Sequence, residues 1–203
     1  MYELFYKKGA CSLAVHVLLN EIGAGYSLTA YDKNEPNSRL LEVNPRGEVP
    51  VLVVDRESIT EGAAILTWLC DAHQSPLLPK SGIERAKALQ WLAFCNASLH
   101  PTYGAFFHGG EAFAKSEFGE KAAKKLQSLW DLVEAQLSKS DYLAGPSPTV
   151  GDILGTVIAN WTPHIAAEIT LGAKTKAWMQ AVAARPSYQT AVAAEAGEKK
   201  LAA

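Results

Sequence analysis

Cys11 is the residue whose position most favours chemistry, because it lies where a predicted strand turns into a predicted helix. Strand-forming residues occupy positions 2–6, and an apolar run with helical spacing covers 12–22. The free N–H groups and the dipole at the start of that helix favour a thiolate, and Lys7 and Lys8 add to this effect. The pattern therefore predicts a reactive thiol with a lowered pKa.

The chain has three cysteines, Cys11, Cys70 and Cys95, and this odd number at wide spacings fits neither a secreted disulfide framework nor a zinc site. We expect no bound metal. Cys70 and Cys95 fall within apolar helical patterns and are predicted to be structural. A buried structural thiol is also the alternative interpretation of Cys11, since that is the commonest fate of a free cysteine.

Pro50 directly precedes a predicted strand at 51–54, an unusual place for a residue that cannot donate to a strand ladder. A cis bond between Val49 and Pro50 would turn the Val49 backbone outward, where its N–H and C=O can pair with an extended peptide. A trans proline at the first position of the strand is the alternative, and it is the commoner isomer.

The segment T-E-G-A-A-I at 60–65 places a carboxylate and a glycine at a second junction between strand and helix. Free backbone N–H groups there can bind a carboxylate, while Glu61 can bind an ammonium group. The head group of an α-amino acid carries both charges. The simpler interpretation is that Glu61 complements the dipole of its own helix.

Two histidines are further candidates, because either could face a cleft. His100 lies near the end of a long predicted helix and is followed by Pro101, and His108 precedes two glycines. A lone histidine is more often a surface or hydrogen-bonded residue than a catalyst, so position alone favours neither.

The two halves of the chain differ in the elements they predict. The first half predicts a β-α-β unit and then a β-β-α unit, with strands at 2–6, 26–31, 51–54 and 58–60 and helices at 12–22 and 61–72. A segment with little periodicity at 73–82 marks a domain boundary. The second half predicts a helix bundle, with apolar periodic runs at 83–99, 118–137, 153–161 and 175–184.

Two shorter features of the second half also make structural predictions. A threonine three residues before an aspartate, Thr149 and Asp152, predicts a capping box at the start of a helix. The Ala- and Lys-rich end at 191–203 is predicted to be frayed.

The composition excludes several classes of partner. The 203 residues include 19 basic and 21 acidic residues, a near balance that gives no long-range attraction to nucleic acid or to an anionic membrane. No apolar stretch is long enough for a membrane span, and the first residues lack the pattern of a signal peptide. We therefore expect a cytoplasmic protein whose partner is a small molecule or another protein.

Three segments together resemble the beta-class bacterial glutathione transferases: L-F-Y-K-K-G-A-C-S-L at 4–13, N-P-R-G-E-V-P-V-L at 44–52, and T-E-G-A-A-I at 60–65. Their order and spacing also agree with that family. The second half is similar to the family in 91–100, in the capping box, and in A-R-P at 184–186. The resemblance thus covers nearly the whole chain.

The resemblance implies the cytosolic glutathione transferase fold, an α/β thioredoxin-like N-terminal domain over 1–78 and an all-α helical-bundle C-terminal domain over 83–203. Such proteins use glutathione as a co-substrate, hold no tightly bound cofactor, and form homodimers. We expect the same of this chain.

The resemblance also implies roles for the residues already singled out. A cis-Pro50 would expose the Val49 backbone to the cysteinyl part of glutathione. Glu61 and Gly62 would hold its γ-glutamyl end, and Cys11 would lie beside its sulfur, close enough to form a mixed disulfide.

Other site residues follow from the same resemblance. His100 would reach the glutathione sulfur from the helical domain. Many members of the family carry a second site residue, often lysine, directly after this histidine, where this chain has Pro101. Either Lys33 or Arg39 would meet a glutathione carboxylate.

The resulting hypothesis is conjugation, in which a glutathione thiolate held at the start of the helix attacks a small apolar electrophile. Hydrogen bonds from Cys11, Ser12 or Tyr6 would assist, although Tyr6 is also interpreted as a packing residue beneath the site. Thiol–disulfide exchange at Cys11 is a second use of the same geometry. The alternative from another class is a non-catalytic glutathione-binding or regulatory module. The apolar pocket is predicted to be lined by Tyr103, Phe106, Phe107 and Trp161.

Overall fold

The computed structural model describes residues 1–31 and 38–197. These residues form two compact units. The first unit consists of the described residues of Met1–Lys80 and of Ala184–Ala203, and the second consists of Ser81–Ala183. The chain therefore enters the second unit once and then returns to the first.

The first unit is built on a four-stranded mixed sheet with the strand order β2-β1-β3-β4. Strand β1 (Tyr2–Tyr6) pairs in parallel with β2 (Tyr26–Ala30), whereas β3 (Val51–Val54) is antiparallel to β1 and β4 (Glu57–Thr60) is antiparallel to β3. A parallel pair needs a crossover and an antiparallel pair needs only a hairpin. The predicted β-α-β and β-β-α units are confirmed.

Helices cover both faces of this sheet. Helices α1 (Ser12–Glu21) and α3 (Gly62–Ala72) pack against each other on one face. The short helix α2 (Ser38–Val43) lies on the other face, where Leu40 packs with Phe5. Because side chains alternate along a strand, β1 supplies apolar residues to both layers.

The second unit is helical, as the sequence predicted. Its helices are α4 (Gly82–Phe94), α5 (His100–Ala114), α6 (Glu117–Leu137), α7 (Val150–Ala159) and α8 (Ala173–Ala183). The capping box at the start of α7 is confirmed, since the Asp152 carboxylate accepts the Thr149 N–H at 2.7 Å.

The chain does not leave the helix at His100, where the sequence predicted an end. A π-helical turn at Cys95–Leu99 joins α4 to α5. Pro101 lies in the first turn of α5, where proline is tolerated because the N–H that it lacks has no intrahelical partner there.

The last helix, α9 (Pro186–Glu195), packs on α1 and so belongs to the first unit. The sequence-based division assigned all of 83–203 to the helical domain, so the structure redraws it at this point. Tyr188 and Ala191 of α9 are buried, and at the start of the helix Arg185 donates to the Glu21 carboxylate at the end of α1 through Nε at 2.6 Å and Nη2 at 2.9 Å.

The predicted fraying of the C-terminal end is wrong for the part that the structure describes. Ala191 is fully buried and α9 continues to Glu195, whose side chain is also buried. Small alanine side chains let this helix approach α1 closely. This packing stabilises a helix that would be too short to be stable alone. Residues 198–203 lie outside the described residues.

Candidate functional site

A tight loop at residues 7–11, here called the cysteine loop, joins β1 to α1. The Ala10 N–H donates to the Lys7 carbonyl at 3.0 Å. The Ser12 hydroxyl donates to the same carbonyl and accepts the Lys7 N–H, both at 3.1 Å. Ser12 is fully buried, and its hydroxyl closes the loop through these two hydrogen bonds.

Cys11 immediately precedes α1 and is partly buried, and its Sγ donates to the Val49 carbonyl at 3.8 Å. Burial raises the pKa of the Cys11 thiol to about 11, and the negative charges of Glu61 and Glu48 act in the same direction. The backbone N–H groups of Cys11 and Ser12 oppose this shift but are outweighed. The predicted lowered pKa is therefore wrong, because desolvation of a thiolate exceeds the effect of a helix start.

The segment 44–50, here called the Val49 loop, carries a cis bond between Val49 and Pro50, as predicted. Buried Asn44 shapes this loop: its Nδ2 donates to the Glu48 carbonyl at 2.9 Å, and its Oδ1 accepts the Arg46 N–H at 3.2 Å. Gly47 adopts a φ of 63°, which glycine reaches at no steric cost.

Glu61, the residue directly before α3, has a φ of 67°, which is rare for a residue with a Cβ. Its carboxylate is exposed and accepts a hydrogen bond from Arg46 Nη1 at 3.1 Å. Arg46 also pairs with Glu48. The two carboxylates raise the pKa of the Arg46 guanidinium, Glu48 having the larger effect. An exposed cation therefore already occupies the place where an ammonium group is predicted to bind.

Tyr6, the last residue of β1, lies on the side of the sheet covered by α1. Its ring centroid is 6.3 Å from that of His16, a residue of α1. Burial raises the pKa of the Tyr6 hydroxyl, and the negative charge of Glu195 adds to this. This position agrees with the interpretation of Tyr6 as a packing residue.

The two basic residues predicted to meet a carboxylate have different outcomes. Lys33 lies outside the described residues. Arg39 binds Glu3 on β1 through two hydrogen bonds, Nε to Oε1 at 3.1 Å and Nη2 to Oε2 at 2.6 Å. Arg39 holds the pKa of the Glu3 carboxyl below its usual value. The guanidinium of Arg39 is thus engaged in a bidentate pair within the first unit.

The second unit gathers three of the predicted residues around a fourth, Trp161. The ring centroids of His100, Phe107 and Tyr103 lie 5.2, 5.7 and 5.9 Å from that of Trp161. We call these four residues the aromatic cluster. Phe106, also predicted to line the pocket, is buried and packs on Phe113 at 5.3 Å.

Tyr103 anchors the aromatic cluster. It is fully buried, its hydroxyl accepts the Trp130 Nε1–H at 2.9 Å, and it lies 2.6 Å from Thr162 Oγ1. Burial raises the pKa of this hydroxyl. Phe107, in contrast, is 47% exposed, so the cluster has a fixed polar anchor at one end and an open apolar face at the other.

His108, the other candidate histidine, contacts its own helix. Its Nδ1 donates to the Gly104 carbonyl at 2.6 Å, one turn earlier in α5. Of the two candidate histidines, the structure therefore places His100 in the aromatic cluster and gives His108 a backbone partner in its own helix.

Three residues that shape the first unit were not singled out from the sequence. Asn44 and Arg46 belong to a motif whose N-P-x-G pattern signals a side-chain-capped turn, so this signal was present. Glu195 gave no such signal, because it lies in an Ala-rich helix and its described partners are distant in sequence.

Comparison with family models yields two matches. The model described as the glutathione S-transferase N-terminal domain matches residues 9–72, and the model for the C-terminal domain matches residues 86–186. The first match includes the cysteine loop from Gly9 onward, the Val49 loop and the start of α3, and the second includes the aromatic cluster.

Individual proteins are similar over almost the whole chain. The glutathione S-transferase GST-4.5 of Xanthomonas campestris is 34% identical over 201 residues, which cover 95% of this chain and 98% of the relative. The structure of a beta-class glutathione S-transferase from Sphingomonas chungbukensis superposes with a TM-score of 0.84 at 29% identity, covering 97% of this chain and all of the other. A sphingomonad glutathione S-transferase complexed with glutathione gives a TM-score of 0.85 at 29% identity, covering 96% of this chain and 98% of the other.

Proposed function

Because the chain belongs to the glutathione S-transferase family and carries both of its domains, we propose that it joins the thiol of glutathione to small apolar electrophiles. It is a glutathione transferase of the beta-class type, and catalysis is favoured over a purely binding or regulatory role. The finer assignments, namely the electrophile and the work of each side chain, are part of the proposal.

The observation that carries the proposal is the meeting of the cysteine loop and the Val49 loop. The thiol of Cys11 lies at the Val49 carbonyl, so a peptide pairing with the Val49 backbone would place its own cysteinyl sulfur near Cys11. The sphingomonad relative was solved with glutathione, which is an extended peptide of this kind.

The γ-glutamyl end of glutathione has matching groups at the start of α3. Its ammonium group would compete with Arg46 for the Glu61 carboxylate, and its carboxylate would accept hydrogen bonds from the first N–H groups of α3. The Arg46 side chain would then be released to a second carboxylate, Glu48, with which it already pairs. The ligand would thus exchange one ion pair for another.

Cys11 in this proposal donates a hydrogen bond to the glutathione sulfur. A pKa raised to about 11 leaves the Cys11 thiol protonated at neutral pH, which suits a donor and not a nucleophile. The glutathione thiolate then forms a bond to the electrophilic carbon. The leaving group departs with the bonding electron pair, and the proton lost by glutathione goes to solvent water.

The same raised pKa argues against Cys11-dependent thiol–disulfide exchange as the main activity. In that reaction the Cys11 thiolate would attack a disulfide sulfur, form a mixed disulfide and release the other sulfur as a thiolate. The attacking species is scarce when the pKa of the thiol is about 11. Exchange at neutral pH is therefore expected to be a minor activity.

The aromatic cluster of the second unit is the proposed electrophile site. Its exposed edge at Phe107 and its ring faces favour a flat, apolar molecule. His100, a member of this cluster, would assist conjugation.

The proposal also includes the location and the oligomeric state of the enzyme, which would be a cytoplasmic homodimer. In the described part of the chain, none of the helices has the length and apolar character that crossing a bilayer requires.

The test combines binding and turnover. Calorimetry is expected to show glutathione binding, and a chlorodinitrobenzene assay is expected to show release of chloride with formation of the conjugate. Cys11→Ala is expected to reduce conjugation severalfold and to abolish any disulfide reductase activity. Absence of glutathione binding at millimolar concentration would refute the proposed function.

A further inference from the structure

A buried carboxylate in α9 contacts the cysteine loop. Glu195, whose side chain is 2% exposed, accepts the Gly9 N–H through Oε2 at 2.9 Å, although Gly9 is 186 residues away in the chain. Its other oxygen, Oε1, lies 3.2 Å from Nδ1 of His16 in α1. Burying a carboxylate is costly unless its oxygens are hydrogen-bonded. Here one oxygen binds the loop and the other binds the helix that follows it.

His16 holds this carboxylate in place. The imidazole is fully buried, and its Nε2 lies 2.9 Å from the hydroxyl of Tyr26 on β2. That hydroxyl in turn donates to Asn20 Oδ1 at 2.9 Å. Because a carboxylate oxygen accepts hydrogen bonds, the imidazole presents Nδ1–H to Glu195. The orientation of the carboxylate is therefore set from the sheet and from α1.

Gly9 is a sensitive point at which to hold the cysteine loop. It adopts a φ of 68°, lies two residues before Cys11, and precedes the Ala10 N–H that closes the turn on Lys7. A shift of the Gly9 backbone would be transmitted through this short turn to Cys11 and would move its Sγ from the Val49 carbonyl.

We propose that Glu195 is a positioning residue for Cys11. By holding the Gly9 N–H, it keeps the thiol against the Val49 carbonyl. The consequence for turnover rests on the proposed function, whereas the effect on the Cys11 thiol itself does not.

The chain offers a matched control. Glu21 accepts hydrogen bonds from Arg185 and Ser187 and so ties the start of α9 to the end of α1. Glu21→Ala therefore weakens the packing of α9, while Glu195→Ala also removes the contact with the cysteine loop. A difference between these variants separates positioning from general stability.

The experiment measures the rate at which iodoacetamide alkylates Cys11 between pH 7 and 10. Mass spectrometry distinguishes Cys11 from Cys70 and Cys95. The temperature is one at which circular dichroism shows each variant to be folded. Glu195→Ala is expected to accelerate alkylation of Cys11 at pH 8 at least tenfold. Its kcat for conjugation is expected to fall by no more than that of Cys11→Ala, because Glu195 acts through the position of Cys11. Glu195→Gln keeps an oxygen acceptor for the Gly9 N–H and is expected to stay within about threefold of the original chain. Glu21→Ala is expected to lower the melting temperature and leave the alkylation rate unchanged.

Two results would overturn the proposal: an unchanged Cys11 alkylation rate in Glu195→Ala, or an equal acceleration in Glu21→Ala. If Glu195→Ala does not fold, Glu195→Asp, which retracts the carboxylate by one methylene, is tested with the same expected and overturning results. Alkylation needs no glutathione, so a chain that failed to conjugate would refute the proposed function and leave this measurement intact.

Discussion

The groups proposed to bind glutathione in the first unit and the aromatic cluster of the second unit differ in their chemistry. In the first unit the groups proposed to face glutathione include backbone, namely the Val49 carbonyl and the starts of α1 and α3, beside the side chains of Cys11 and Glu61. In the second unit the aromatic cluster consists of side-chain rings packed around Trp161. The first site thus depends in part on loop conformation, whereas the second depends on residue identity alone.

This difference suits one ligand that is always the same, glutathione, and another that varies, the electrophile. Backbone groups remain when a side chain is substituted, so a site made from them preserves its recognition of an invariant peptide. Rings are changed by single substitutions, so a site made from them can be adapted to different electrophiles. Substitutions should therefore separate into those that alter the use of glutathione and those that alter the use of the electrophile.

The largest expected effect concerns the protonation of Cys11. With a pKa of about 11, Cys11 should react with iodoacetamide at pH 8 at least a hundredfold more slowly than a free thiol of ordinary pKa near 8.5. The rate should rise about tenfold per pH unit until pH approaches 11. A rate that levels off below pH 8 would show a lowered pKa and restore the original prediction of a reactive thiolate.

The same shift has a consequence for stability. The fold favours the protonated thiol, so the stabilising contribution of Cys11 is present below the ordinary thiol pKa and is lost as pH rises toward about 11. Urea titrations of the original chain and of Cys11→Ala should therefore converge as pH increases through this window. Parallel curves would contradict the raised pKa.

The next largest effect should come from Glu61, the side chain on which the proposed γ-glutamyl contact depends. Glu61→Ala is expected to raise the KM for glutathione ten- to a hundredfold, as expected for the loss of a hydrogen bond to a charged group. The KM for the electrophile should stay within about twofold, since Glu61 is not part of the aromatic cluster.

Glu48→Ala is the matched control for Glu61→Ala. Glu48 also pairs with Arg46 and is equally exposed, but it is not proposed to contact glutathione. An equal rise in the KM for glutathione in both variants would show that Arg46, and not the ligand, mediates the effect.

Trp161→Ala tests the other side of the comparison. Removing the ring at the centre of the aromatic cluster should raise the KM for chlorodinitrobenzene about tenfold, as expected for lost apolar contact, and leave the KM for glutathione within about twofold. Because Trp161 is 8% exposed, the free energy of unfolding should fall by about 3 kcal/mol. Phe113→Ala, which truncates a ring outside the cluster, should leave both KM values unchanged.

Much of the first unit could be predicted from short-range pattern. Period-two and helical spacings indicate the β-α-β and β-β-α units, because each residue reports the burial of its own face. The cis bond before Pro50 was predicted because N-P-R-G-E-V-P occurs together with T-E-G-A-A-I, whereas the proline alone favoured a trans bond.

The properties that could not be predicted depend on segments distant in sequence. The helix start and two lysines near Cys11 indicate a lowered pKa, but the thiol is desolvated by the fold and lies near Glu61 and Glu48. Glu195 has the same character. Its Ala-rich surroundings indicate a frayed end, and only the packing of α9 on α1 brings it to His16, 179 residues away in the chain.

Tyr6→Phe should have the smallest effect, and it tests whether the Tyr6 hydroxyl belongs to the glutathione site. The Tyr6 ring lies near His16, on the side of the sheet covered by α1, and its hydroxyl has a raised pKa from burial and from the charge of Glu195. A residue in that position packs beneath the site, so removing the hydroxyl should change kcat and the KM for glutathione by less than about twofold. Steady-state rates with both substrates varied measure this directly. A tenfold loss of kcat would mean that the hydroxyl donates to the glutathione sulfur. The glutathione site would then extend to a side chain of β1.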